Sequence, residues 1–179
     1  MGKINSRNKG SRNERDLSKW WQEWTGYEFG RVPSSGGLRW NRTTDTTGDI
    51  ICTNQKHFLR FPFSIETKNY KDINFEHILL GTKGCKTLLF WEQAKADGIR
   101  GNKLPILMMR YNGMKKDEYF FIVDKGLGTI FYEKLKATGN FMIIKSSNTE
   151  LSVFMASDVM KLDYKYIYKE ARAYLKTLK

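Results

Sequence analysis

The sequence predicts an α/β fold, a mixed central β-sheet flanked by helices, and three observations carry that prediction. Apolar residues at helical spacing open and close the chain, short runs with period-two alternation lie between them, and no internal repeat is present. Apolar residues make up 40% of 179 positions, enough for one core without disulfide staples, and with 28% charged residues the composition is globular rather than disordered. Residues 1–179 therefore read as one domain, with 1–9 as a flexible basic arm.

The elements follow in order. Ser11 is expected to cap a first helix running through Trp24, with Glu14 three residues on completing a capping-box pattern. Leu17, Trp20, Trp21 and Trp24 form its buried stripe, so these tryptophans read as core, and Glu14 lies close enough to that stripe to face inward. Gly26 ends the helix and a short strand, Tyr27 to Val32, follows. Residues 33–48, PSSGGLRWNRTTDTTG, form a long loop of the kind that is usually functional or mobile.

Asp49 then opens the strand DIIC, and after a turn a further strand spans Phe58 to Lys68. Helices are expected around Phe75 to Leu80 and from Lys86 to Ala96, and strands over Pro105 to Arg110 and Tyr119 to Val123. Residues 124–160 are mixed, with strands near Phe141 to Ile144 and Ser152 to Met155. Tyr164 to Leu178 reads as a helix with Ile167, Ala171, Tyr174 and Leu175 on its apolar face.

Charge narrows the partner. The 31 Lys and Arg exceed the 19 Asp and Glu by +12, a surplus that favours a polyanion, either nucleic acid or an anionic surface. No stretch is long and apolar enough to span a membrane, the N-terminus has no apolar signal core, and no basic helix has the wide apolar face of a surface binder. Cys52 and Cys85 sit in or beside apolar segments and read as reduced thiols of a cytoplasmic protein, while His57 and His77 lack a partner at metal spacing and read as structural. Nucleic acid is the favoured partner.

The chemistry centres on FPFSIETKNY, residues 61–70. Side chains alternate along a strand, so Glu66 and Lys68 share one face, either as a solvated ion pair or as half of a metal site. If this strand pairs with DIIC as a hairpin, Asp49 and Glu66 become neighbours. Two such carboxylates suit Mg²⁺ or Mn²⁺, and Lys68 beside them could orient the attacking water or stabilise charge on a phosphorane. Asp45 is a rival acid, but Asp49 adjoins Ile50 and Ile51, which would hold it rigidly.

The order Glu14, Gly48-Asp49-Ile50, Glu66-Thr67-Lys68 resembles the PD-(D/E)XK nuclease superfamily, and more narrowly its archaeal-type and phage-encoded Holliday-junction resolvases. Gly10-Ser11-Arg12-Asn13-Glu14-Arg15-Asp16-Leu17 is similar to the helix that opens those proteins, and Arg31-Val32-Pro33-Ser34-Ser35-Gly36 to their R-x-x-x-S-G loop. The likeness covers roughly residues 9–110, leaving 111–179 as an extension of the same domain, and the loop from Ser35 to Asp49 is longer than in the compact archaeal enzymes.

The resemblance implies a metal-dependent, structure-selective DNA endonuclease acting on four-way junctions as a two-fold dimer, with Mg²⁺ as cofactor. By the same match Asp49 and Glu66 are ligands, Lys68 is the catalytic lysine, Glu14 assists the metal directly or through water, and Ser34 or Ser35 meets the scissile phosphate. Arg12, Arg31, Arg39 and Arg42 with Trp40 suit phosphate contacts and base stacking, with Lys3, Arg7, Lys9 and Arg15 able to track the backbone. Gln93 lies on a helix after the E-x-K strand, where some branches of the superfamily carry a glutamine facing the site. A nuclease of the same fold acting on duplex or flaps, and a DNA-binding module without catalysis, are the rival readings.

Overall fold

A computed structural model describes residues 6–32, 47–115, 117–146 and 148–178. The chain runs α1 (Ser6–Thr25), β1 (Phe29–Arg31), β2 (Ile50–Cys52), a 3₁₀ turn (Phe58–Arg60), β3 (Phe63–Tyr70), α2 (Glu76–Leu79) and α3 (Lys86–Gly101). It continues β4 (Leu104–Tyr111), β5 (Phe120–Asp124), α4 (Lys125–Leu135), β6 (Phe141–Lys145), β7 (Glu150–Met155), α5 (Ala156–Val159) and α6 (Tyr164–Thr177). The strands form one seven-stranded mixed sheet in the order β1-β2-β3-β4-β5-β7-β6. The expected α/β architecture is the one observed.

Two apolar layers sandwich the sheet. On one face α1, α4 and α6 pack Trp21, Trp24, Phe131 and Ile167 over Phe63, Ile65, Phe121 and Phe154. Trp21 is fully buried, with Phe29, Phe61, Phe63 and Phe121 all within 6.3 Å between ring centroids. On the other face α2 and α3 bring Ile78, Trp91 and Ala94 against Leu107, Met109, Ile122 and Val153. A strand covered on both faces needs apolar residues in both parities, which is why Leu104 and the run Ile106–Met109 are all at or below 1% exposure. β3 and β4 pair in parallel over the whole of both strands, from Phe63 opposite Leu104 to Tyr70 opposite Tyr111, so the chain between them must cross over the sheet, and α2 and α3 make that crossing.

Several boundaries differ from those expected. The first helix begins at Ser6, so residues 6–9 belong to it rather than to a free arm, and residues 1–5 lie outside the described residues. Ser11 is therefore inside the helix and caps nothing; its hydroxyl oxygen accepts from the Arg31 guanidinium at 3.1 Å. The strand expected from Phe58 starts only at Phe63, because Pro62 has no N–H for a ladder and Phe58–Arg60 close a 3₁₀ turn instead. Within the segment left mixed, Lys125–Leu135 is a helix whose N-cap, Asp124, accepts from the Leu127 N–H at 2.8 Å. Its two glycines disguise it in sequence, and both are needed for close packing: a Cβ on Gly126 would lie 2.0 Å from the Tyr174 hydroxyl, and one on Gly128 would lie 2.1 Å from Ser152 Oγ.

Both cysteines are free and buried, and His57 stacks on Tyr27 at 4.1 Å between centroids, in keeping with a structural role. Among the described residues no helix is long and apolar enough to cross a membrane.

Candidate active site

β3 carries the site because its two parities meet different neighbours. Phe63, Ile65 and Thr67 point toward α1, whereas Ser64, Glu66 and Lys68 point toward α3. Glu66 is 1% exposed, so the carboxylate does not sit on a solvated face. Its Oε1 accepts from Lys68 Nζ on the same strand and from Gln93 Nε2 on α3 at 2.6 Å. Lys68 in turn lies over the Phe90 ring at 5.5 Å, so an aromatic wall and a carboxylate fix its ammonium.

Asp49 arrives from the neighbouring strand. β2 pairs with β3 antiparallel, with Ile50 opposite Ile65, which brings Asp49 beside Glu66 as the hairpin argument required. The Asp49 N–H donates to Ile65 O at 2.7 Å, and its Oδ2 accepts from the Thr67 N–H at 3.0 Å. Gly48 makes this approach possible. Its φ of +80° is left-handed, and a Cβ there would lie 2.4 Å from Ile65 O, so no other residue can enter the bridge without moving Asp49.

Electrostatics mark the two acids as a pair. Burial and the Asp49 charge push Glu66 up to about 7, against the pull of Lys68. Asp49 is raised as well, first by burial, then opposed by its hydrogen bond from Thr67 and the Lys68 charge. Two facing carboxyls with only one ammonium between them bind a proton, or a hard cation, more readily than either would alone. The donor set, two carboxylate oxygens and no sulfur or imidazole, fits a divalent ion of the Mg²⁺ type.

Glu14 and Arg31 form the rim. Glu14 Oε2 accepts from Arg31 Nε at 2.6 Å, an ion pair between α1 and β1, and its negative charge still bears on Asp49. Among the described residues no group of three or more His, Cys, Asp or Glu is arranged to hold a metal, and Glu14 is turned onto Arg31. Arg12 is 76% exposed on α1 near Asp16, at 3.9 Å. Ser34, Ser35, Arg39, Trp40 and Arg42, with the rival Asp45, lie outside the described residues.

Beyond the residues expected from sequence, the structure adds Asn13 and Thr67. Asn13, buried on α1, donates through Nδ2 to Thr67 Oγ1 at 2.7 Å, and Thr67 Oγ1 donates to Met108 O at 3.2 Å. Thr67 thus ties Asp49, α1 and β4 together at one residue. Sequence offers only an Asn one position before Glu14; its burial and its partner across the fold have no sequence spacing to betray them.

A mixed sheet with an interior strand that sets an acid and a lysine two residues apart, and a second acid on the adjoining strand, defines the PD-(D/E)XK class of nucleases. The chain belongs to the family described as "Phage putative PDDEXK endonuclease", which matches residues 5–169 and so reaches well beyond the 9–110 expected from the motifs. Enzymes of this superfamily usually use a divalent metal. Over 108 residues the chain is 32% identical to Protein D14 of Escherichia phage T5, covering 60% of this chain and 65% of that protein. The chain thus spans just under two thirds of the length of that relative. No solved structure matches it.

Proposed function

We propose that the protein is a metal-dependent, structure-selective DNA endonuclease, a Holliday-junction resolvase that nicks four-way junctions as a homodimer, serving recombination and repair in the host cytoplasm. The observation that carries the reading is the Asp49–Glu66 pair on adjoining strands with Lys68 held against Glu66. The +12 charge and the basic residues of α1 supply the attraction for DNA.

In this reading Asp49 and Glu66 hold the metal, with Mg²⁺ as the natural ion and Mn²⁺ able to replace it. An ion held there would supply Lewis-acid chemistry, polarising a phosphoryl oxygen and lowering the pKa of a water. Thr67 fixes Asp49 through its N–H, and Gln93 fixes Glu66, so neither acid has to reorganise when a substrate arrives. Lys68 keeps its ammonium beside the reacting phosphate, where it orients the nucleophilic water and stabilises charge building on phosphorus. Arg31, anchored by Glu14 and Ser11, presents a guanidinium to the backbone, and Ser34 or Ser35 meets the scissile phosphate.

A labelled four-way junction, a matched linear duplex and a flap, each incubated with Mg²⁺, Mn²⁺ or EDTA, test the proposal. Symmetric metal-dependent nicks confined to the junction are expected. Equal cutting of all three substrates would keep the nuclease and discard junction specificity, while binding without cleavage under either metal would leave a DNA-binding module.

A further inference from the structure

On the face of β3 opposite Glu66 and Lys68, a cleft of about 290 Å³ opens between the first half of α1 and the C-terminal ends of β3 and β4. Lys9, Arg12 and Arg110 converge on it around Asn13 and Asn69. Its one acidic lining residue, Asp16, stands 3.9 Å from Arg12. The other two cations are held by neutral acceptors: Lys9 by the Asn112 amide oxygen, and Arg110 by the carbonyls of Met114 at 3.1 Å and Lys115 at 3.3 Å. Arg110 also lies over the Tyr119 ring at 5.4 Å, so its guanidinium is fixed before any ligand arrives. Burial, and after it the Arg110 charge, push the Lys9 ammonium below its ordinary range.

The cleft is coupled to the carboxylates through three residues of one strand. Asn69 directly follows Lys68, and Asn13 at the cleft bonds Thr67, whose N–H holds Asp49. A nucleic-acid strand passing around the C-terminal end of β3, which runs two residues beyond Lys68 to Tyr70, would meet the acids on one face of that strand and the cations on the other. We propose that this cleft is a subsite for a backbone phosphate of DNA adjoining the one that is cut. The inference rests on the nuclease reading and names where that enzyme grips its substrate beside the scissile bond.

The test uses the full chain in EDTA, where cleavage plays no part. Affinity for the four-way junction and for linear duplex is measured against salt for wild type, Lys9→Gln, Arg110→Gln, the double variant, and the charge-preserving Lys9→Arg with Arg110→Lys. Inorganic phosphate is titrated separately as a free-anion probe. The double variant is expected to bind DNA at least about 10-fold more weakly at low salt, with the slope of log K against log salt reduced by about 0.9 for each phosphate the protein no longer neutralises. The charge-preserving pair should recover most of the affinity, which a purely structural loss would not allow. An unchanged slope and affinity in the double variant would overturn the subsite, as would cleft-dependent binding of inorganic phosphate with DNA binding unaffected. If wild type shows the cleft-dependent binding but never cuts with Mg²⁺ or Mn²⁺, the subsite stands and the nuclease reading falls.

Discussion

Glu66 is a buried acid whose cost to the fold depends on what neutralises it. Its pKa stands at about 7, against an ordinary 4.5, because burial and Asp49 oppose ionisation. Below 4.5 the carboxyl is protonated in folded and unfolded chains alike and has no effect on stability. Between 4.5 and about 7 the unfolded chain ionises first, the folded protein holds the extra proton, and stability falls as pH rises. In EDTA, wild type should therefore lose on the order of 3 kcal/mol relative to Glu66→Gln across that window, read from denaturant midpoints. A parallel pH course for the two proteins would remove Glu66 from the coupled pair. Millimolar Mg²⁺ should flatten the difference. The same Glu66→Gln change should lower cleavage by roughly 10³-fold while DNA affinity stays close to wild type; cutting at the wild-type rate would sink the assignment. Gln93→Ala, which leaves the donors intact but frees Glu66, should raise the metal concentration needed for half-maximal activity by about 10–100-fold.

At the scale of elements, what positions the site was legible where local pattern decides and illegible where distant packing does. The alternation in FPFSIETKNY placed Glu66 and Lys68 on one face, and the strand after Asp49 paired as required, since both follow from the two-residue period of a strand. That this face is buried against α3, making Gln93 a partner of Glu66, could not be read from alternation, because a strand's pattern does not say what covers it. Ser11 and Glu14 look like a capping box, yet Arg31 from β1 takes both side chains, a pairing set by tertiary packing. In Lys125–Leu135 two glycines conceal a helix because the fold needs their missing side chains rather than their backbone freedom. Gly48 joins site and sheet: Gly48→Ala should cost at least about 1–3 kcal/mol through its left-handed φ, and it should depress cleavage more than stability alone explains because Asp49 moves with it. A variant that unfolds earlier but, when folded, cuts normally would show that Gly48 serves only the turn. On α1, Trp21→Ala should cost about 3–5 kcal/mol, as it empties the centre of the aromatic cluster, and equilibrium unfolding of the two proteins checks it.

For the whole molecule, the +12 charge sets the terms on which the proposed nuclease would meet DNA. Binding should weaken steeply with salt, and neutralising Arg39 and Arg42 should shallow that dependence; an unchanged slope would take these two arginines out of the interface. Composition alone made this expectation available, whereas the placement of Arg110 beside Lys9 depends on β4 lying next to β3 and could come only from the fold.

The parallel pairing of β3 with β4 also orders events during synthesis. Glu14, Asp49, Glu66, Lys68 and Gln93 all leave the ribosome before Leu104, yet until β4 emerges β3 has no neighbour on that side and Thr67 has no Met108 carbonyl to bind. Parallel strands joined by a long crossover pair slowly, because the loop must close before the pairing rewards it. A nascent chain thus carries these proposed site residues in unassembled form. A protein with the proposed activity, translated among the DNA it could cut, becomes competent only once its own crossover has closed.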